Sequence, residues 1–223
     1  MSADGTSGAA PPPPGLEPRL TEYARLLTGW PGLVSGPAEP LVEDSLVLLP
    51  LLGKARTLLD VGSGGGMPGL PLKLARPELE VTLLEADQRK AAFLVHAAAR
   101  LGVGVEVVAE RAELAARRAR LRESFQVVTC RALAALPVAL ELCLPFVALG
   151  GRLLGMRTAE EDEAGPGLAE VAARLGGGRP EVVEAPSSSR SRGTVVVVPK
   201  IAETPSAFPR RPGVPNRRPL GSL

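Results

Sequence analysis

Residues 58–69 read LLDVGSGGGMPG, and this stretch is the most informative part of the chain. A short strand-like run, residues 57–61, leads into it, and an apolar run with helical spacing, residues 69–76, follows it. A strand, a glycine turn and a helix in this order hold nucleotide-like ligands at the carboxyl ends of the strands of α/β sheets. Glycine suits such a turn because it adopts positive φ angles and lets the backbone approach a ligand closely. The stretch therefore predicts an α/β fold with a ligand site at the turn.

Two acidic residues distinguish between the ligands that such a turn could hold. Gly64, Gly66 and Gly69 also satisfy the dinucleotide pattern, in which the turn binds a pyrophosphate. Asp60 lies beside the turn, however, and a carboxylate repels phosphate but attracts the sulfonium and ammonium groups of S-adenosylmethionine. Glu85 ends the next strand-like run and is placed to accept hydrogen bonds from both ribose hydroxyls. We expect S-adenosylmethionine as the cofactor, with a nicotinamide cofactor and a purely structural turn as the alternatives.

The composition is that of an ordinary globular domain. The chain has 223 residues, of which 45% are hydrophobic and only 3% aromatic, so the core must consist of Leu, Val and Ala. It contains no apolar run near the ~20 residues of a membrane span, and no signal-peptide pattern. Cys130 and Cys143 provide neither a disulfide framework nor a metal cluster. We expect a reduced, cytoplasmic, monomeric protein that binds no metal and no membrane.

Strand-like and helix-like runs alternate along most of the chain. The strand-like runs are residues 57–61, 79–84, 104–108, 125–130, 152–156, 180–184 and 193–199. The helix-like runs between them are residues 69–76, 87–101, 111–121, 136–147 and 158–175. Alternation predicts a mostly parallel sheet with helices on both faces. The link at residues 185–192 is too short for a crossover, so the last strand should be antiparallel. Seven strands in this arrangement are the class I methyltransferase fold, a Rossmann-like fold.

The residues before the first strand form a tail and two predicted helices. Residues 1–15 are rich in Pro, Gly and Ala, and we expect a disordered tail. Two helices, at residues 16–27 and 41–52, should form a helical cap over residues 16–53 of a single domain that ends at residue 203.

The last 20 residues differ from the rest of the chain in charge. Residues 204–223 contain four basic residues and no acidic ones, whereas the body carries a net charge of −2. The four are Arg210, Arg211, Arg217 and Arg218. They predict a basic C-terminal tail that contacts RNA phosphates, with a solubilising disordered end as the alternative. Arg117, Arg118, Arg120 and Arg122 form a second basic run, which fits either an RNA-facing patch or a solvated face paired with glutamates.

Several segments together carry a resemblance to a known family. They are residues 44–46 (DSL), 60–72 (DVGSGGGMPGLPL), 131–132 (RA), 142–151 (LCLPFVALGG), 204–205 (TP) and 208–215 (FPRRPGVP). With these segments the chain, over about residues 33–220, resembles the RsmG (GidB) family of bacterial 16S ribosomal RNA guanine-N7 methyltransferases. The resemblance implies methyl transfer from S-adenosylmethionine to N7 of a guanine in the 530 loop, within free 16S RNA or a small-subunit assembly intermediate.

The resemblance also implies roles for individual residues. The family's cofactor contacts fall on Gly62 and Met67 in the turn, and on Ala112 and Glu113 beside the adenine. Arg131 matches a residue at the methyl-donor end, and we expect it to orient the target guanine or the cofactor carboxylate as the candidate catalytic residue. The alternative for Arg131 is that it caps the end of the strand and forms a surface salt bridge.

The expected chemistry requires no general base. Guanine N7 has a free lone pair, and the methyl group of a sulfonium is already a good electrophile, so alignment should suffice. In this interpretation Asp60 and the backbone of residues 62–66 bind the methionine end, and Glu85 binds the ribose. A non-catalytic RNA-binding or ribosome-assembly factor that kept the fold remains the other hypothesis.

Overall fold

The computed structural model describes residues 13–158 and 167–221. The helices are α1 (Leu16–Gly29), α2 (Glu39–Ser45), α3 (Leu49–Leu52), α4 (Gly69–Ala75), α5 (Gln88–Leu101), α6 (Ala112–Ala115), α7 (Leu136–Cys143), α8 (Leu168–Arg174) and α9 (Val214–Arg217). The strands are β1 (Thr57–Val61), β2 (Glu80–Leu84), β3 (Glu106–Val108), β4 (Phe125–Arg131), β5 (Val147–Thr158), β6 (Glu181–Glu184) and β7 (Gly193–Pro199). Short 3-10 turns lie at Leu46–Leu48 and Leu144–Phe146.

The strands form one seven-stranded sheet in the order β3-β2-β1-β4-β5-β7-β6. The first five of these strands run parallel, and β7 is antiparallel to both β5 and β6. The predicted class I methyltransferase architecture, with its antiparallel last strand, is confirmed. Strand order reverses between β1 and β4, and ligands of open α/β sheets bind at the carboxyl edge beside such a reversal. The fold therefore places the glycine turn after β1 at the expected ligand edge.

Helices cover both faces of the sheet and bury two apolar clusters. The cap helices α1–α3 pack with α4 and α5 on one face, and α7 and α8 pack on the other. Leu, Val and Ala dominate both clusters, as the low aromatic content requires. The buried Tyr23 of α1 donates its hydroxyl hydrogen to the Gly65 carbonyl oxygen at 2.5 Å. The cap is thus attached directly to the glycine turn.

Several predicted helices are shorter in the structure. Only Ala112–Ala115 of the predicted helix at residues 111–121 is α-helical, and the remainder forms turns. In the predicted helix at residues 136–147, the α-helix ends at Cys143, two residues before Pro145, because proline has no N–H for the helical hydrogen bonds. The last residue of that predicted helix, Val147, already begins β5, which therefore starts earlier than predicted. The predicted cap helix at residues 41–52 is interrupted by the 3-10 turn at Leu46–Leu48.

Two predicted segments fall partly outside the described residues. Of the expected disordered tail, residues 1–12 lie outside them. Of the helix predicted at residues 158–175, residues 159–166 lie outside them, Leu168–Arg174 forms α8, and residue 158 ends β5 instead of beginning a helix. Within the described ranges, no helix has the length and apolar character that crossing a membrane would require.

The described part of the predicted basic tail, residues 204–221, packs against the body, and we call it the C-terminal segment. Leu220 is buried in the cluster beneath α7 and α8. Two guanidinium groups of the second basic run bind its backbone: Arg117 donates to the Pro209 carbonyl at 2.6 Å, and Arg122 donates to the Thr204 carbonyl at 2.6 Å. These arginines therefore hold the C-terminal segment in place.

Candidate functional site

The glycine turn curls around the end of β1 through its own backbone. The N–H groups of Gly62 and Ser63 both donate to the Leu84 carbonyl, at 2.8 and 3.1 Å, which fastens the turn to β2. Gly62, Gly64 and Gly66 have φ angles of +69°, +55° and +95°, values that side-chain-bearing residues rarely adopt. The predicted need for glycine at these three positions is thus a conformational one.

The glycines of the turn face two different environments. A Cβ on Gly64 would meet nothing closer than the Gly62 carbonyl oxygen at 3.9 Å, so this residue borders open space. A Cβ on Gly66 would lie 2.6 Å from Leu70 Cδ1, and one on Gly65 would lie 2.6 Å from Leu27 Cδ2. Gly64, predicted as a cofactor contact, therefore faces open space, whereas Gly66, also predicted as one, gives room for helix packing.

Asp60 lies beneath the turn and does not line the cavity described below. Its side chain is buried, with Oδ1 accepting from the Thr129 hydroxyl at 2.9 Å and Oδ2 accepting from the Gly69 N–H at 3.3 Å. Burial raises the pKa of Asp60 to about 6, although its hydrogen bonds partly oppose that shift. In this structure Asp60 fixes the start of α4, and its contact with the methionine end stays a prediction.

Glu85 occupies the position that the ribose prediction requires. Its carboxylate accepts from the Gly64 N–H through Oε2 at 2.8 Å and from the Asp87 N–H through Oε1 at 2.8 Å. The backbone N–H of Glu85 donates to the Val108 carbonyl at 3.0 Å, so the residue is held between β2 and β3. A fixed carboxylate beside the open side of the turn suits a diol.

A cavity of about 270 Å³ opens along the carboxyl ends of β1, β2 and β3. It is lined by Val61, Gly62, Leu84, Glu85, Ala86, Lys90, Glu110, Arg111, Ala112, Glu113, Ala132, Leu133, Leu142 and Asn216. Four predicted cofactor residues are therefore together: Gly62, Glu85, Ala112 and Glu113. Sequence reasoning did not single out Lys90, Leu133, Leu142 or Asn216, because only the folded chain brings these positions to the edge of the sheet.

Glu113 connects the cavity to the C-terminal segment. Its Oε1 accepts from Arg111 at 2.9 Å and from the Gly213 N–H at 2.9 Å, and its side chain is buried. Burial alone would raise the pKa of Glu113, but these hydrogen bonds outweigh it and leave the pKa below its usual value. The ionised Glu113 thus holds Gly213, the residue that precedes α9, next to the cavity.

Arg131, the predicted catalytic residue, lies on the cap side of β4 and not among the residues that line the cavity. Its guanidinium donates to the Leu41 carbonyl at 3.0 Å, lies 3.5 Å from Asp44 Oδ2 and contacts Met67 Sδ at 3.6 Å. Only 17% of the Arg131 side chain is exposed. Arg190 binds the same Asp44 at 3.1 Å. The alternative interpretation of an ion pair at the strand end fits these contacts, with the pair largely buried.

The four arginines predicted to bind RNA separate into two groups. Arg210 makes a bidentate ion pair with Glu141, whose side chain is fully buried, at 2.8 Å from Nε to Oε1 and 2.5 Å from NH2 to Oε2. Arg211, Arg217 and Arg218 are exposed. Arg210 is therefore a structural anchor, and the RNA-contact hypothesis is limited to the other three.

Within the second basic run, the remaining two arginines pair with acids. Arg118 binds Glu110 at 2.9 Å and Arg120 binds Glu106 at 2.5 Å. This arrangement agrees with the solvated, glutamate-paired alternative. In the part of the chain that the structure describes, no group of three or more His, Cys, Asp or Glu side chains could hold a metal ion.

Comparison with known proteins places the chain in a family. Residues 38–175 match the family described as rRNA small subunit methyltransferase G. The chain belongs to this family. A protein of that name from Rubrobacter xylanophilus is 41% identical over 219 residues, which cover 90% of this chain and 82% of the relative. Another, from Roseiflexus castenholzii, is 45% identical over 166 residues, covering 73% of this chain and 70% of the relative. The family resemblance carried by the turn and by residues 204–215 is thereby confirmed.

Solved structures agree with the fold of this methyltransferase family. An O-methyltransferase from Bacillus cereus in complex with SAH matches with a TM-score of 0.55 and 19% identity, over 83% of this chain and 90% of that protein. The T. thermophilus 16S rRNA N2 G1207 methyltransferase, in complex with AdoMet and guanosine, matches with a TM-score of 0.51 and 18% identity, over 73% of this chain and 40% of that protein. At these identities the likeness concerns the fold alone.

Proposed function

We propose that this protein transfers a methyl group from S-adenosylmethionine to N7 of a guanine in the 530 loop of 16S ribosomal RNA. One structural observation carries the cofactor part of the proposal: the Glu85 carboxylate lines the cavity and accepts the backbone N–H of Gly64 in the glycine turn. Family membership supports the ribosomal RNA substrate.

The residues of the cavity suit S-adenosylmethionine better than a phosphorylated cofactor. Glu85 accepts the ribose hydroxyls. The methionine end is received by the backbone at Gly62, which lines the cavity, and at Gly64, which borders open space. Glu110 and Glu113 also line the cavity, but they form ion pairs with Arg118 and Arg111. Glu85, which is held by backbone N–H groups, is therefore the carboxylate that opposes a pyrophosphate and favours a cation.

The chain's own contribution to the chemistry is alignment. Bound S-adenosylmethionine supplies an electrophilic methyl group, and guanine N7 supplies the lone pair, so no side chain has to remove a proton before attack. Leu133 and Ala132, after β4, border the cavity at the end nearest β4 and restrict the space open to a base. Arg131 acts as a positioning residue, because its contacts with Asp44 and Met67 join the end of β4 to the cap and the turn.

The RNA is bound through the exposed basic side chains of the C-terminal segment. Arg211 precedes α9, Arg217 is its last residue and Arg218 follows it, and α9 also reaches the cavity through Asn216. Phosphate contacts at this place would hold the RNA beside the cofactor. The substrate is 16S RNA or a small-subunit assembly intermediate, methylated in the cytoplasm by a monomeric enzyme.

Calorimetric titration separates this proposal from its alternatives. We expect S-adenosylmethionine and S-adenosylhomocysteine to bind at a single site and NAD⁺ not to bind. Binding of NAD⁺ without binding of the sulfonium compound would support the nicotinamide alternative. No binding of either compound at millimolar concentration would support a non-catalytic RNA-binding factor.

A further inference from the structure

Asn216 is a cavity residue that comes from the C-terminal segment. It lies on α9, and Gly213, which precedes this helix, donates its N–H to Glu113 Oε1 at 2.9 Å. Glu113 also lines the cavity, on helix α6, which follows β3. The Gly213–Glu113 hydrogen bond therefore sets where Asn216 enters the site.

The order of the strands indicates which part of the cofactor lies near Asn216. Gly62 and Gly64 follow β1 and receive the methionine end, whereas Glu85 follows β2 and receives the ribose. Since β3 lies on the far side of β2 from β1, the base must extend from the ribose toward the end of β3. That end is followed by Ala112 and Glu113, and Asn216 lines the same cavity, three residues after Gly213, which binds Glu113.

The chemistry of the lining side chains singles out Asn216. Adenine presents a donor, its 6-amino group, next to an acceptor, a ring nitrogen, and an amide matches such a pair with its own acceptor and donor. Lys90 and Arg111 can only donate, and ionised glutamates can only accept. Among the lining residues in the described part of the chain, Asn216 is the only amide.

The amide of Asn216 is also available. Its residue is exposed, and within residues 13–158 and 167–221 no hydrogen bond engages its side chain. In contrast, Glu113 and Arg111 are paired with each other at 2.9 Å, and Glu110 is paired with Arg118. The apolar side chains of Leu84, Leu133 and Leu142 provide surfaces against which a flat base can pack.

We infer that Asn216 recognises the adenine edge of the cofactor, so that the C-terminal segment is part of the cofactor site as well as an RNA-binding element. This inference rests on the proposed function, because it assigns one more contact to the same cofactor. It gives α9 two roles: Asn216 faces the adenine, while Arg217 and Arg218 remain exposed for RNA.

The test compares two ligands on three proteins by calorimetry. The ligands are S-adenosylhomocysteine and its analogue whose base is purine, with hydrogen in place of the 6-amino group. The proteins are the wild type, Asn216→Ala and Ser206→Ala, the last being a control on the same segment with an exposed side chain. Thermal unfolding of each protein verifies that the fold is retained.

We expect the wild type and Ser206→Ala to bind S-adenosylhomocysteine at least about tenfold more tightly than the purine analogue. The analogue lacks the 6-amino group, so the hydrogen bond from that group to the Asn216 side-chain oxygen is lost. Asn216→Ala should bind S-adenosylhomocysteine about tenfold more weakly and discriminate between the ligands less than about threefold. Full affinity and full discrimination in Asn216→Ala would overturn the inference and leave the proposed function intact. Failure of the wild type to bind S-adenosylhomocysteine would instead overturn the proposed function.

Discussion

The carboxylate of Glu85 accepts a hydrogen bond from the backbone N–H of Gly64 at 2.8 Å. This bond joins the end of β2 to the turn after β1, beside the cavity. The same carboxylate is the proposed acceptor for the ribose hydroxyls. Removing the carboxylate therefore removes a hydrogen bond that holds the turn and a charge-assisted hydrogen bond to the ligand.

We predict that Glu85→Ala weakens the binding of S-adenosylhomocysteine by about 10- to 100-fold, the range expected for losing hydrogen bonds to a charged group. Calorimetry gives the dissociation constants. Glu80→Gln, at the exposed start of the same strand, is the matched control and should bind like the wild type. Equal affinities for wild type and Glu85→Ala would remove Glu85 from the site.

The two faces of the glycine turn should respond differently to substitution. Gly64→Val places a branched side chain in the open space where the ligand binds, so it should abolish cofactor binding. Gly66→Ala instead brings a Cβ to 2.6 Å from Leu70 Cδ1, so it should lower the free energy of unfolding by overpacking, by about 1–3 kcal/mol.

Chemical denaturation and calorimetry on both glycine variants measure the two effects. Both positions have positive φ, so both variants share some backbone strain, and the comparison isolates the direction in which the side chain points. If folded Gly64→Val bound the cofactor normally, the open side of the turn would not be the ligand side.

Asp60 gives a prediction about pH. Its pKa is about 6 in the folded protein and 3.8 in an ordinary environment, so the folded state holds the proton more tightly. The contribution of Asp60 to the free energy of unfolding is therefore greatest at low pH and declines as the pH rises from about 4 to about 6. In Asp60→Asn this decline is absent, and the stability of the variant relative to wild type should increase by on the order of 3 kcal/mol between pH 4 and pH 7.

Urea unfolding of both proteins across that pH range measures the difference. Asp87→Asn is the control, because hydrogen bonds from the N–H groups of Lys90 and Arg89 lower the pKa of the exposed Asp87 and confine its effect to more acidic pH. A stability difference between Asp60→Asn and wild type that did not change with pH would show that Asp60 is already ionised at pH 4.

The arginines of the C-terminal segment should separate by function. Arg210→Ala leaves the fully buried Glu141 without its cation and should lower the free energy of unfolding by about 3–5 kcal/mol. The double variant Arg217→Gln, Arg218→Gln should leave stability within about 0.5 kcal/mol of wild type, because both side chains are exposed.

The same double variant, although as stable as the wild type, should bind RNA with a weaker dependence on salt. If both side chains contact phosphates of a single-stranded loop, the slope of log K against log salt should become shallower by about 1.4. Filter binding of a 530-loop hairpin at several salt concentrations measures the slope. An unchanged slope would exclude these two arginines from the RNA interface.

Local sequence features predicted much of the fold and part of the site. The period of the apolar residues and the short link at residues 185–192 correctly predicted the seven-stranded sheet with an antiparallel last strand. Gly62 and Glu85 were found because they directly follow strands whose carboxyl ends must share one edge, whereas Ala112 and Glu113 were found through the resemblance to the family.

Other features depend on contacts between distant parts of the chain. Glu141 lies 69 positions before Arg210, and nothing in the local sequence of either residue indicates that they pair. The same holds for Asn216, which reaches the cavity on a segment that Gly213 joins to Glu113, 100 positions away. Charge composition alone therefore described residues 204–223 as a basic tail, whereas its described part is a packed segment.

The central claim is methylation of a guanine at N7 in the 530 loop, and the most direct test is mass mapping of that RNA. 16S RNA from a strain that lacks this gene would be compared with RNA from the same strain complemented by the wild type or by Glu85→Ala. We predict a 7-methylguanine in the 530 loop only when the wild-type gene is present, with strongly reduced methylation for Glu85→Ala. Full methylation in the deletion strain, or no methylation after complementation with the wild type, would contradict the account.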